Sequence, residues 1–148
     1  MSRYQNIVIA LECSAGAKCV LEKAADFADK PDVSVSIVHV VLDLIIPDWS
    51  GSPGQVPPPL DRDSLAQSSA EYLKPMIEAA GLDPNSLTIC FGRPAHEILE
   101  RSVGLSADLL IAGSHSRRGI EVLLGSTAHK LLNLSHCDVL LVRTPKNS

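Results

Sequence analysis

The chain has 148 residues, the size of one ordinary domain, with a formal net charge of −4. That charge excludes a bulk basic field for nucleic acid, and no apolar run approaches the roughly 18 residues a membrane helix needs. Hydrophobic residues make up 45% of the chain and aromatic ones only 3%, so the core must be aliphatic.

The start, MSRYQNIVIALEC, lacks the basic and apolar segments and the small-residue cleavage site of an export signal. The four cysteines, Cys13, Cys19, Cys90 and Cys137, show no paired spacing, which predicts reduced thiols in a cytoplasm. The first strand is predicted at residues 6–11 (NIVIAL), where an apolar, β-branched run ends on the acidic Glu12. A helix follows over 15–29, with Ser14 as N-cap and Ala17, Val20, Leu21, Ala24, Phe27 and Ala28 on one face. The second strand is predicted at 33–41 (VSVSIVHVV), with His39 as a hydrogen-bonded structural histidine.

Residues 42–60, LDLIIPDWSGSPGQVPPPL, form a long loop with five prolines and the only tryptophan. A loop of that length inside a compact domain is functional or mobile. A second helix is expected over 65–80, with Leu65, Tyr72, Leu73, Met76, Ile77 and Ala80 inward, a kink or break at Pro75, and a stop at Gly81. A third strand at 87–91 leads to a helix, PAHEILERSVG, that opens on Pro94 and ends at Gly104. Strands at 108–112 and 138–143 flank a last helix from about Thr127 to Leu134. The first, second, fourth and fifth strands read as covered on both faces.

Strands alternating with helices imply right-handed crossovers and a parallel sheet. The expected fold class is α/β, a single doubly wound domain over residues 1–148, with helices on both faces of a five-stranded parallel sheet. The long loop lies inside it, and no internal repeat is present.

In such sheets ligands bind beyond the carboxyl ends of the strands, where the crossover direction reverses. The stretch GSHSRRGIEVLLGSTAHK leaves the fourth strand at this edge. Gly113 permits a tight turn, and Gly125-Ser126 opens a helix whose first amides, on Ser126, Thr127 and Ala128, can cradle a phosphate. Arg117 and Arg118 could add charge from the loop. The same residues are also ordinary capping chemistry, and turn chemistry alone does not separate the two readings. Neither G-x-x-x-x-G-K-[ST] nor a G-x-G-x-x-G after the first strand is present.

Among other candidates, His115, His129, His136 and Cys137 are too widely spread to predict a shared metal ion. Cys13 sits near a helix start, without a histidine close in sequence. Cys19 and Cys90 read as small core residues, and Glu97 and Glu100 as a solvated helix face.

GSHSRRGIEVLLGS followed by a helix and CDVLLVR resembles the C-terminal signature of the universal stress protein family, whose pattern is roughly Gly, two residues, Gly, nine residues, Gly, then Ser or Thr. NIVIALECSAGAKCVLEKAADFA, VSIVHVV, GRPAHEIL and ADLLIAGSH extend the resemblance along the whole chain. It implies the strand order 3-2-1-4-5, a homodimer through the final strand at 138–143, and ATP (or AMP or ADP), with Mg²⁺ as a companion ion, in the members that bind nucleotide.

Carried over by position, the adenine and ribose side would be Ala10, Leu11, Glu12 and Val40. The phosphate side would be Ala112, Gly113, Ser114, His115, Arg117, Gly125, Ser126, Thr127 and Ala128. The chain departs from the pattern at Glu12, where Asp is usual, and at Ser116, which stands for the second glycine. Its loop from Ser116 to Gly125 is also one residue short, though Gly119 offers flexibility nearby.

The implied function is a nucleotide-binding regulatory module of the stress response. Two other readings stand beside it. One is a nucleotide-free dimeric interaction protein; the other is a weak ATPase, with slow hydrolysis or autophosphorylation at Ser114, Ser116, Ser126 or Thr127. No residue is an evident general base for phosphoryl attack.

Overall fold

Alternation along the first strand, β1 (Asn6–Ala10), sends successive side chains to opposite faces of a sheet. Ile7 and Ile9 enter one core cluster and Val8 and Ala10 another, and all four are buried. A strand apolar on both sides needs helices on both sides, and the computed structural model has them. It describes residues 3–42, 54, 61–114 and 126–144.

The described elements run β1, α1 (Gly16–Ala28), β2 (Ser34–Leu42), α2 (Arg62–Ala79), a 3-10 turn (Pro84–Ser86), β3 (Leu87–Gly92), α3 (Pro94–Gly104), β4 (Leu109–Gly113), α4 (Ser126–Leu134) and β5 (Asp138–Val142). The strands form one parallel sheet in the order β3-β2-β1-β4-β5. This is the expected doubly wound α/β fold. At the centre, Ile9 sits beside Ile37 of β2 and Ile111 of β4.

The cluster on one face joins Ile7, Ile9 and Ile37 to Leu21 and Ala24 of α1 and to Leu73 and Ile77 of α2. The opposite cluster joins Val8, Val38 and Leu110 to Ile98 of α3 and Leu131 of α4. Leu21, Leu73, Ile77 and Leu131 are all fully enclosed, each stabilising the fold by about 1.5–3 kcal/mol through burial.

Several local expectations change. The N-cap of α1 is Ala15, with no side-chain capping bond, and Ser14 instead precedes the helix in a turn. The second helix starts earlier, at Arg62, where the Asp61 carboxylate accepts from the Ser64 amide at 3.1 Å. Leu65 and Tyr72 are exposed, so its inward stripe narrows to Leu73 and Ile77 with Met76 and Ala80 beside them.

Pro75 does not end that helix, which continues to Ala79. Pro75 and Glu71 are both exposed, so the carbonyl deprived of its donor can be satisfied by water. Gly81 follows the helix with φ +82, the left-handed stop that its position implied. The fifth strand is covered on both faces but less completely, with Leu140 and Val142 packing on one core cluster and Val139 and Leu141 on the other, and as the edge of the sheet it leaves 139–141 only half-buried.

Polar clamps secure the end of the sheet where the strands begin. Both Asp108 carboxylate oxygens accept from backbone, at 2.8 Å from the Gln5 amide and 3.0 Å from the Asn6 amide. The Asn6 side chain donates to the Ser106 carbonyl at 3.1 Å, and the Tyr4 hydroxyl donates to Asp138 at 2.7 Å. The Asp138 hydrogen bond is also the main cause that raises the Tyr4 pKa.

Candidate functional site

The direction of chain travel reverses between β1 and β4: the chain moves outward from β1 through β2 to β3, then crosses back to β4. Beyond the carboxyl ends of these two strands the backbone separates, and helix starts approach the opening. A cleft lies there. Its walls come from β1 and the turn after it (Ala10, Leu11, Glu12, Ser14), from α1 (Gly16, Ala17, Val20), and from Val40 of β2. Pro94 and Ile98 of α3, Ala112 and Gly113 of β4, Thr127, Ala128 and Leu131 of α4, and Thr144 complete it.

Eight residues proposed from sequence meet in this cleft: Ala10, Leu11, Glu12, Val40, Ala112, Gly113, Thr127 and Ala128. Ser114 lies beside it, at the end of β4, with its amide donating to the Val142 carbonyl at 2.9 Å. Ser126 begins α4 and is exposed. His115, Arg117 and Gly125, with Ser116, Arg118 and Gly119, lie outside the described residues, as does the loop of residues 42–60 apart from Leu42 and Gly54.

Sequence reasoning missed the contributions of α1, α3 and residue 144. The usable signal for α1 was the small pair Gly16-Ala17 directly after a strand end. Thr144 carried none, because its place depends on the chain passing β4 after β5 ends. Its proximity explains Gly113: a Cβ there would meet Thr144 Cγ2 at 3.2 Å and Val20 Cγ2 at 3.4 Å.

Chemically the cleft has two characters. Ala10, Val40, Pro94, Ile98, Ala112 and Leu131 make an apolar surface suited to a flat ring. Thr127 and Ala128 belong to the first turn of α4, whose amides lack partners within the helix and, with its dipole, favour an anion. Among the described residues of the lining, only Glu12 carries a formal charge, and it is exposed. Ser114 Oγ is buried without a hydrogen-bond partner among the described residues, a costly state for a hydroxyl.

A profile of the universal stress protein family matches residues 3–143. The chain belongs to the universal stress protein family. Universal stress protein A homolog 2 of Coxiella burnetii is 29% identical over 145 residues, covering 97% of each chain. A universal stress protein of Methanocaldococcus jannaschii is 31% identical over 147 residues, covering 97% of this chain and 84% of the relative.

Among solved structures, a universal stress protein from Lactobacillus plantarum superposes with a TM-score of 0.69 at 22% identity, over 97% of this chain and 100% of the other. A universal stress protein in complex with cAMP gives 0.68 at 20% identity, over 96% and 98%. One from Archaeoglobus fulgidus in complex with dAMP gives 0.62 at 21% identity, over 96% and 99%. These likenesses establish the universal stress protein fold.

Within that fold the histidines and cysteines fall into separate places. His136 and Cys137 line a hollow with Leu99, Ser102, Val103, Ser106 and Ala107, at the far end of α3 from the cleft. His129 is exposed on α4. Among the described residues the cluster with metal-ligating spacing is His96, Glu97 and Glu100 on α3, where His96 Nε2 lies 3.3 Å from Glu100. His96 and Glu100 are open to solvent, and an i,i+4 pair of this kind is ordinary helix-surface chemistry. No described helix is long and apolar enough to cross a membrane.

Proposed function

We propose that this universal stress protein is a regulatory module that binds an adenine nucleotide in the cleft between β1 and β4. The observation that carries the reading is the meeting, at one switch point, of the Glu12 carboxylate with the N-terminal turn of α4. A carboxylate at the end of β1 suits ribose hydroxyls, and free amides with a positive dipole suit phosphate. Two relatives of the same fold solved with cAMP and with dAMP support this chemistry.

In this reading Ala10, Leu11, Glu12 and Val40 hold the adenosine portion. Ala112, Gly113, Ser114, His115, Arg117, Gly125, Ser126, Thr127 and Ala128 hold the phosphates, with ATP as the full ligand and AMP or ADP as shorter ones. The Ser114 hydroxyl fits this use, since it has a hydrogen to give and no acceptor among the described residues. Magnesium would enter with the triphosphate, held by its oxygens and water, with Glu12 the carboxylate at hand. In this reading occupancy, and not turnover, is the output.

We also assign the dimer contact to the outer edge of β5. That edge has no partner strand among the described residues, Val139, Leu140 and Leu141 on it are half-buried, and Leu132 and Leu134 of α4 are exposed. An apolar edge of this kind pairs readily with its own copy. The α/β dimer would work in the cytoplasm, with its thiols reduced.

The test is chromatography of nucleotide released by acid from freshly purified protein, followed by calorimetric titration with ATP and Mg²⁺. Stoichiometric adenine nucleotide, or saturable binding, supports the reading. Neither retained nucleotide nor binding at millimolar ATP would leave a nucleotide-free dimeric interaction protein.

A further inference from the structure

Cys13 follows Glu12 out of β1 and packs against the core formed with α1 and α2, on the sheet face opposite Val40. His39 rises from β2, and its Nε2 lies 3.5 Å from Cys13 Sγ. Its Nδ1 lies 2.7 Å from the carbonyl oxygen of Leu11. A carbonyl can only accept, so Nδ1 carries a hydrogen and the neutral ring turns its Nε2 lone pair to the thiol. A nucleophile in reach of a base, with the base oriented by a third group, is the general pattern of an activated nucleophile.

The surroundings suit that chemistry. His39 is buried, while Cys13 is only half-buried, so the base is shielded and the cysteine lies nearer the surface. Burial holds the His39 pKa below its ordinary value and outweighs the Leu11 hydrogen bond, which acts the other way. The ring is therefore unprotonated at neutral pH and ready to receive a proton. Cys13 also precedes the first turn of α1, where the helix dipole favours negative charge on sulfur. The other three cysteines lack this arrangement among the described residues: Cys90 is buried, Cys19 packs on the α1 side of the core, and Cys137 Sγ meets the Ser135 hydroxyl at 3.4 Å.

We infer that Cys13 and His39 form a peroxide-reactive thiol site, in which His39 takes the thiol proton as sulfur attacks a hydroperoxide. With hydrogen peroxide, an S–O bond forms and the O–O bond breaks. Sulfur gives up two electrons and becomes a sulfenic acid, and the displaced hydroxide takes the proton from His39 and leaves as water. The inputs are one thiol and one peroxide, and the outputs are one sulfenic acid and one water. The site adjoins Glu12 and Ser14 of the cleft but needs no nucleotide, so it stands or falls apart from the reading above.

The test treats the full chain with hydrogen peroxide and dimedone at neutral pH, following each cysteine by peptide mass spectrometry. Cys13 should acquire the adduct about tenfold faster than Cys19 or Cys137. His39→Asn, whose amide can replace the donor to Leu11 but offers no base, should slow Cys13 about tenfold and leave Cys19 and Cys137 unchanged. Wild-type Cys13 labelling no faster than those two overturns the inference, as does an unchanged Cys13 rate in a folded His39→Asn. If that variant melts at ordinary temperature, the wild-type ranking alone decides.

Discussion

Thr144 stands so close to Gly113 that a Cβ added to the glycine would lie 3.2 Å from Thr144 Cγ2. The contact joins the end of β4 to the second residue past β5, in the wall of the cleft. Gly113→Ala should therefore cost about 1–2 kcal/mol in urea unfolding, by overpacking. Thr144→Ser removes the methyl that is struck, so the same change in that background should cost clearly less. Equal costs in both backgrounds would show that the strain lies elsewhere.

Glu12 is exposed, so its charge contributes little to the fold. Glu12→Gln should weaken adenine-nucleotide binding about tenfold, the usual scale for a lost charge-assisted hydrogen bond. Calorimetry gives the affinity and thermal melting the fold, with the melting temperature expected to stay unchanged. Unaltered affinity would remove Glu12 from the site.

At the opposite end of the sheet, Asp108 accepts from two backbone amides that open β1. Asp108→Ala leaves both donors without that carboxylate and should destabilise the fold by about 1–3 kcal/mol. The site is at the other edge, so nucleotide affinity in the remaining folded protein should not change. A large loss of affinity would mean that the two edges are coupled.

His39 contributes a pH dependence whose sign follows from its burial. Its pKa is lowered below 6.5 in the folded chain, first by desolvation, while the unfolded chain titrates near that value. The unfolded state then binds more protons, so this stabilisation is present above pH 6.5 and is lost as pH falls through the folded value. The gap in urea midpoint between wild type and His39→Asn should narrow from pH 7 to pH 5. A constant gap would contradict the assignment.

The proposed dimer edge can be probed without breaking the sheet. The Val142 carbonyl accepts from the Ser114 amide, so Val142 faces β4 and, by strand alternation, the amide of Leu141 points outward. Leu141→Pro removes that outward donor while leaving the β4 ladder in place. Sedimentation should show a folded monomer. A folded dimer would move the interface away from β5.

Much of this was legible in the sequence because it is local. The bounds of α3, Pro94–Gly104, follow from a proline at the first turn and a glycine at the end. The two-faced burial of β1 follows from an unbroken aliphatic run, and the opening of α4 at Ser126 from Gly125-Ser126. Leu65 and Tyr72 were misjudged for one reason: helical period shows which residues share a face, but not which face the core needs. Sequence gave Ser14 a cap, whereas tertiary structure sets it in the cleft wall.

By itself the sequence determined the element order, the aliphatic double core and the residue types at the carboxyl edge, since these depend on short-range pattern and burial. Only the tertiary structure brought Thr144 against Gly113, α1 and α3 into the cleft wall, and His39 to Cys13, 26 positions away. Those meetings depend on strand order and register, which set distant residues side by side and leave no periodic trace along the chain.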